Sequence, residues 1–121
     1  MGKKVKKVAV VTGGGTGIGR SSALALQESE FIVVICGRRK EQLEETARLG
    51  ASGRTKILPV VADVSCSTSV NELFVLVEQR YGRLDVLFNN AGGGAPRVPL
   101  DQLDDSDWRR CVDVNLTGTF L

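Results

Sequence analysis

Histidine is absent from the 121 residues of this chain. Its absence excludes Ser-His-Asp and Cys-His catalytic sites and the usual zinc sites, so we expect no bound metal. The three cysteines, Cys36, Cys66 and Cys111, are odd in number and form no CxxC pair. This pattern predicts reduced intracellular thiols and no disulfide framework. Any chemistry must therefore use other groups.

Long apolar runs are also lacking. The first one, residues 8–11, ends at glycines and is too short for a signal-peptide core or a membrane span. We therefore expect a cytoplasmic protein that does not bind membranes. The formal net charge is only +2, and much of the basic surplus lies in the lysines of residues 3–7. This balance predicts no nucleic-acid partner, and the length suits one packed domain.

Strand and helix patterns alternate along the chain. Short apolar segments predict four strands at residues 7–12, 31–36, 56–62 and 86–88. Amphipathic segments predict helices at residues 17–29, 40–49, 67–81 and from 105 or 106 to the end. The last helix spaces Trp108, Val112, Leu116 and Phe120 four residues apart.

Repeated β-α units predict an α/β fold with a doubly wound, Rossmann-type parallel sheet in the strand order 3-2-1-4. Pro59 favours an edge position for the third strand, because proline cannot donate to the ladder. In this order a ligand crevice opens between strands 1 and 4, where the strand order reverses. Two glycine-rich loops, after these two strands, would face it.

The loop after strand 1 reads Thr-Gly-Gly-Gly-Thr-Gly-Ile-Gly over residues 12–19. Glycines at 13, 17 and 19 let the backbone approach a ligand, and the following helix N-terminus supplies N–H donors and a favourable dipole. We interpret the loop as a diphosphate-binding turn of a dinucleotide site. The alternative is a turn that serves only close packing.

The segment after strand 2 bears on the choice of nicotinamide cofactor. An enzyme that prefers NAD would place Asp or Glu there, for the ribose 2′-hydroxyl, whereas this chain has Gly37-Arg38-Arg39. Guanidinium groups can bind a 2′-phosphate, so the arginines favour NADP. NAD stays the alternative, with the arginines as solvated residues at the start of a helix.

Together these motifs resemble the N-terminal half of the short-chain dehydrogenase/reductase family, from Val8 to Leu121. The family turn TGxxxGxG matches Thr12–Gly19, its Asn-Asn-Ala-Gly matches residues 89–92, and its Asp after strand 3 matches Asp63, followed by Val64. Val114-Asn115-Leu116 resembles the segment of the family's catalytic asparagine.

The resemblance implies a role for each matched residue. Asp63 and Val64 would hold the adenine, and Asn115 would help to hold a water in a proton relay. Independently of the family, Asp63 and residues 89–92 suit ordinary turns, and Asn115 suits a helix surface. The implied cofactor-binding residues are Gly13, Thr16, Gly17, Ile18, Gly19, Arg38, Arg39, Asp63, Val64, Asn90, Ala91 and Gly92.

The family's Tyr-x-x-x-Lys pair is missing. The only tyrosine, Tyr81, is followed four positions later by Asp85, and the last lysine is Lys56. We therefore expect residues 1–121 to be an incomplete domain, truncated after the helix that follows strand 4, with that strand as an unpaired edge and a bare apolar face on the last helix.

The resemblance implies an NADP-dependent oxidoreductase acting on a small alcohol or carbonyl substrate, with a homo-oligomer expected for the complete protein. The alternative is a non-catalytic nucleotide-binding or sensor protein that ends at Leu121. A smaller departure is Ser29-Glu30, where the family often has Gly-Ala after the first helix. A non-glycine residue in a left-handed cap costs about 1 kcal/mol.

Overall fold

The computed structural model describes residues 6–92, 98–117 and 119. Strands and helices alternate from the start. Their bounds are β1 (Val8–Thr12), α1 (Gly17–Glu28), β2 (Ile32–Gly37), α2 (Lys40–Leu49), β3 (Ile57–Val61), α3 (Ser67–Tyr81), β4 (Val86–Phe88) and α4 (Asp105–Val112). A short 3-10 turn, Leu100–Gln102, precedes α4.

The four strands form one parallel sheet in the order β3-β2-β1-β4. Val10 at the centre of β1 is in register with Val34 of β2 and with Leu87 of β4. The predicted doubly wound topology is confirmed. Pro59 lies on β3 at one edge, as predicted, and β4 forms the other edge of the described sheet.

Two apolar layers cover the two faces of this sheet. Successive side chains of a strand point to opposite faces, so Val33 and Ile35 pack on the α1 and α2 side, while Val34 and Cys36 pack on the α3 side. All five residues of β1 are buried. This double coverage explains why the strands have continuous apolar sequences.

The β4–α4 region is less well covered. Leu87 of β4 is 42% exposed, and Trp108 and Leu116, on the apolar side of the last helical segment, are 61% and 69% exposed. The expected bare apolar face is therefore present. The central strands and the β4–α4 region differ sharply in burial.

The last helix differs from the prediction of one continuous helix. α4 ends at Val112 and a π-helical turn, Asp113–Thr117, follows. The Asn115 side chain supplies a physical reason, since its Nδ2 donates to the Cys111 carbonyl oxygen at 2.9 Å. Such a side-chain bond competes with the backbone ladder of an α-helix. Phe120, the last predicted position of the apolar face, lies outside the described residues.

Candidate functional site

The turn between β1 and α1 has a backbone that only glycine accommodates easily. Gly13 and Gly17 have φ of +66° and +55°, in the left-handed region. A Cβ at Gly19 would lie 2.0 Å from the carbonyl oxygen of Gly13, so no side chain fits there. These glycines bring the turn directly against the start of α1.

The N-terminus of α1 is open to an anion. Its N-cap, Thr16, is extended and makes no side-chain capping hydrogen bond within the described part of the chain. The first backbone N–H groups of an α-helix have no partner inside the helix. With the positive end of the helix dipole, they form a site for a phosphate group. Ile18 in this first turn is 71% exposed.

Thr12 ties the turn to the loop after β4. Its Oγ1 accepts hydrogen bonds from the backbone N–H groups of Asn90 and Ala91, both at 2.8 Å, and donates to the Phe88 carbonyl oxygen at 3.3 Å. Asn90 Nδ2 donates in turn to the Gly13 carbonyl oxygen at 3.3 Å. Sequence reasoning placed Thr12 in the motif but gave it no role, although its match to the family turn was a usable signal.

A cleft of about 430 Å³ opens beyond the carboxyl ends of the strands. It brings together eight of the predicted site residues, namely Gly13, Thr16, Arg38, Arg39, Asp63, Val64, Ala91 and Gly92. Five others, Gly17, Ile18, Gly19, Asn90 and Asn115, do not line it. Of these five, Gly17, Ile18 and Gly19 form the first turn of α1, and Asn90 supports Gly13.

Several lining residues were missed. Gln42 and Leu43 reach the cleft from α2, and Arg110, Cys111 and Val114 reach it from the last helical segment. The burial of Leu43 was predictable from its apolar position in α2, but its place at the cleft depends on how α2 crosses the sheet. The places of Arg110, Cys111 and Val114 at the cleft depend on how the last helical segment lies against the loop after β4.

Asp63 is held as a carboxylate at the end of β3. Its Oδ1 accepts from the Ser65 hydroxyl at 2.6 Å and from the Ser65 backbone N–H at 3.0 Å. The Ser65 hydroxyl is the main cause that lowers the pKa of Asp63, assisted by that backbone bond and by the charge of Arg38, against a smaller opposing effect of burial. Asp63 is therefore ionised at neutral pH and can accept hydrogen bonds from a ligand.

The charge of the cleft is positive. Three guanidinium groups, Arg38, Arg39 and Arg110, line it, against the single carboxylate of Asp63 among its described residues. All three arginines are exposed to solvent. An excess of cationic donors around a concave surface favours an anionic ligand.

Asn115 lies on the π-helical turn and is exposed, which agrees with its interpretation as a helix-surface residue. A Cβ added at Gly92 would lie 2.5 Å from Asn115 Oδ1, so this amide sits directly against the loop after β4. The structure thus brings two predicted residues, Gly92 and Asn115, into contact. The exposed Asn115 amide, beside the loop after β4, can form hydrogen bonds to water.

The Cys36 thiol, possible metal ligands and possible membrane spans were the other features to consider. Burial raises the pKa of the Cys36 thiol to about 11, which fits an inert core residue. Within residues 6–92, 98–117 and 119, no group of three or more His, Cys, Asp or Glu side chains is placed to hold a metal ion. None of the helices in these ranges has the length and apolar character needed to cross a membrane.

Comparison with known proteins gives the family. The sequence model of a family described as short chain dehydrogenase matches residues 7–121. The chain belongs to this family. An uncharacterized oxidoreductase of Staphylococcus aureus (strain USA300) is 39% identical over 113 residues, which are 93% of this chain and 48% of that relative. The chain spans about half the length of the curated relatives it matches.

Solved structures of short-chain dehydrogenases and reductases share the fold. An alcohol dehydrogenase from the archaeon Thermococcus sibiricus, complexed with 5-hydroxy-NADP, is 33% identical with a TM-score of 0.87, covering 95% of this chain and 49% of that one. An NAD⁺-bound xylitol dehydrogenase is 31% identical with a TM-score of 0.89, covering 98% and 46%. The Rossmann-type fold is thereby shown.

Proposed function

We propose that this chain is the cofactor-binding part of an NADP-dependent oxidoreductase that transfers hydride between nicotinamide and an alcohol or carbonyl substrate. The observation that carries the proposal is the cleft, in which Arg38 and Arg39 lie beside the glycine-rich turn and no acidic residue takes their place after β2. The family relationship supports the oxidoreductase class, and supports it over a sensor protein that ends at Leu121.

The described residues fit a nicotinamide dinucleotide. The open N-terminus of α1 suits the diphosphate, because Gly19 has no room for a side chain and the helix dipole favours negative charge. Asp63, held ionised by Ser65, suits the adenine amino group as a hydrogen-bond acceptor, and Val64 offers an apolar contact. The loop of Asn90, Ala91 and Gly92, fixed by Thr12, would lie along the cofactor.

Selection of NADP is assigned to Arg38 and Arg39. A 2′-phosphate adds negative charge that guanidinium groups bind through several N–H donors, and an acid at this place would repel it. Arg110 adds positive charge from the opposite wall of the cleft. One solved relative carries 5-hydroxy-NADP and another carries NAD⁺, so the comparison does not distinguish the two cofactors. The proposal of NADP therefore rests on Arg38 and Arg39 of this chain.

The cofactor, when bound, supplies the hydride chemistry, and the protein supplies orientation and proton handling. Asn115 is proposed to hold a water for a proton relay. Its amide is anchored by the bond from Nδ2 to the Cys111 carbonyl oxygen, and Oδ1 faces Gly92. Residues 1–121 contain no Tyr-x-x-x-Lys pair that could act as the general acid.

A direct titration tests this proposal. NADPH and NADH are added separately to the chain, and binding is followed through the fluorescence of the reduced nicotinamide. We expect NADPH to bind at least about tenfold more tightly, as charge-assisted hydrogen bonds to a phosphate imply. Equal affinities would overturn the NADP assignment, and failure to bind either cofactor would overturn the proposed function.

A further inference from the structure

Arg20, in the second turn of α1, connects three parts of the molecule. Its Nη2 donates to the Gly15 carbonyl oxygen of the turn at 2.6 Å, with the Gln42 carbonyl oxygen at 3.4 Å as a weaker acceptor. Its Nε donates to Thr46 Oγ1 of α2 at 3.0 Å. One guanidinium group therefore joins α1, the glycine-rich turn and α2.

Thr46 completes this network from the other side. Its side chain is fully buried, although most side chains of α2 are polar or charged, and the other buried residue of this helix is the apolar Leu43. Oγ1 accepts from Arg20 and donates to the Gly14 carbonyl oxygen at 2.9 Å. The carbonyl oxygens of Gly14 and Gly15 are thus both bound by the Arg20–Thr46 pair.

The same network reaches the arginines after β2. Arg39 is the N-cap of α2 and Arg38 precedes it, so the position of α2 determines the position of both residues. Gln42, whose carbonyl oxygen faces Arg20, also lines the cleft, and a Cβ at Gly15 would lie 3.1 Å from Gln42 Cβ. A shift of α2 relative to the turn would therefore move Arg38 and Arg39 relative to the α1 N-terminus.

We propose that Arg20 and Thr46 are positioning residues for cofactor selection. They hold the glycine-rich turn and the Arg38-Arg39 segment at one fixed separation, so that the diphosphate and the 2′-phosphate of NADP are bound at the same time. The covalent frame of a dinucleotide sets the distance between these two groups, and a preorganised pair of sites avoids the cost of adjusting to it. This inference rests on the proposed function.

NADH distinguishes this role from a general structural one. NADH has the diphosphate but no 2′-phosphate. It therefore lacks the group that Arg38 and Arg39 would bind, and its affinity should not depend on the positions of these two side chains. Loosening α2 should therefore weaken NADPH binding more than NADH binding. A residue that only stabilises the fold would weaken both equally.

The test compares four variants with the unchanged chain. Thr46→Val removes the hydroxyl at nearly constant shape, Arg20→Met removes the donors, and Thr46→Ser keeps the hydroxyl. Arg48→Met is the control, because Arg48 lies on the same helix but pairs with Glu45 at the surface. Thermal unfolding is recorded for each variant to show that it folds. If Thr46→Val does not fold, the comparison of Arg20→Met with Thr46→Ser still tests the proposal.

We expect Thr46→Val and Arg20→Met to lose about tenfold in NADPH affinity and less than about threefold in NADH affinity, since each removes hydrogen bonds that join α2 to the glycine-rich turn. Thr46→Ser and Arg48→Met should keep the NADPH-to-NADH ratio. An unaltered ratio in Thr46→Val and Arg20→Met would overturn only this inference. If the unchanged chain bound neither cofactor, this inference and the proposed function would both fall.

Discussion

The two walls of the cleft are built differently. The wall formed by β1, β2 and the start of α2 has fully buried strand residues, and the Arg20–Thr46 pair holds its glycine-rich turn. The wall formed by the loop after β4 and the last helical segment belongs to a region that exposes Leu87, Trp108 and Leu116 outside the cleft. Thr12 links them through its bonds to Asn90 and Ala91, beside the β1–β4 pairing and the bond from Asn90 Nδ2 to the Gly13 carbonyl oxygen. The first wall is therefore held mainly by packing, and the second relies more on its hydrogen bonds to β1 and the glycine-rich turn.

The largest expected effect compares the two walls directly. Ile35 on β2 is fully buried, so Ile35→Ala should lower the free energy of unfolding by about 3 kcal/mol through lost contacts and the cavity left behind. Leu87→Ala on β4 should cost less than about 1 kcal/mol, because this side chain is already 42% exposed. Urea unfolding followed by circular dichroism measures both, and equal losses would refute the difference between the walls.

A smaller loss of stability is expected from a substitution in the glycine-rich turn. Gly19→Ala should destabilise the chain by about 2 kcal/mol and weaken NADPH binding, because the new Cβ would collide with the Gly13 carbonyl oxygen. Gly17→Ala is the matched control. Apart from its chain neighbours and its own helix backbone, no atom of the described residues lies within 4 Å of a Cβ there, and the left-handed backbone, at φ +55°, costs about 1 kcal/mol. A Gly19→Ala chain as stable as Gly17→Ala would contradict the close approach of turn and helix.

A gain in stability is expected at the end of α1. The residue in the left-handed conformation is Glu30, at φ 67°, whereas Ser29 has φ of −81°. Glu30→Gly should therefore raise the free energy of unfolding of the chain by about 0.5–1 kcal/mol, even after the loss of the exposed ion pair with Arg54. Ser29→Gly should give no gain. Thermal unfolding separates the two variants, and a gain from Ser29→Gly alone would contradict this cap.

The smallest expected effect concerns pH. The pKa of Asp63 is lowered, chiefly by the Ser65 hydroxyl, so the folded state binds its proton less readily than the unfolded state. This carboxylate therefore contributes stability above the unfolded pKa of about 4, and the contribution is lost as pH falls through the folded pKa. In Ser65→Ala the pKa of Asp63 should rise toward its ordinary value. Carboxyl NMR titration measures it, and an unchanged pKa would exclude the assigned cause.

The sequence predicted part of each wall. The parallel sheet, its strand order and eight cleft residues followed from apolar runs and from motifs in which spacing and context agree. Apolar runs and motifs are local signals, because each is formed by residues close together in the sequence. Glu30 shows a partial case, since the departure from the family motif was visible but the residue with positive φ was not.

The rest depended on tertiary contacts that no local pattern encodes. The buried Thr46 hydroxyl and Arg20 are far apart in sequence, and neither type of residue is diagnostic of a cleft. The π-helical turn arises from a side-chain bond of Asn115 that spacing alone does not reveal, because the apolar period continues through it. Arg110 reaches the cleft only because of where α4 lies relative to β4.

The central claim is that the first wall selects NADP through Arg38 and Arg39. It is tested most directly by measuring the dissociation constants of NADPH and NADH for the unchanged chain, for the double variant Arg38→Gln/Arg39→Gln, and for the control Arg48→Gln on the outer surface of α2. We predict that the double variant loses at least about tenfold in NADPH affinity while NADH affinity changes less than about threefold. Equal changes for the two cofactors, or an unchanged NADPH affinity, would contradict the account.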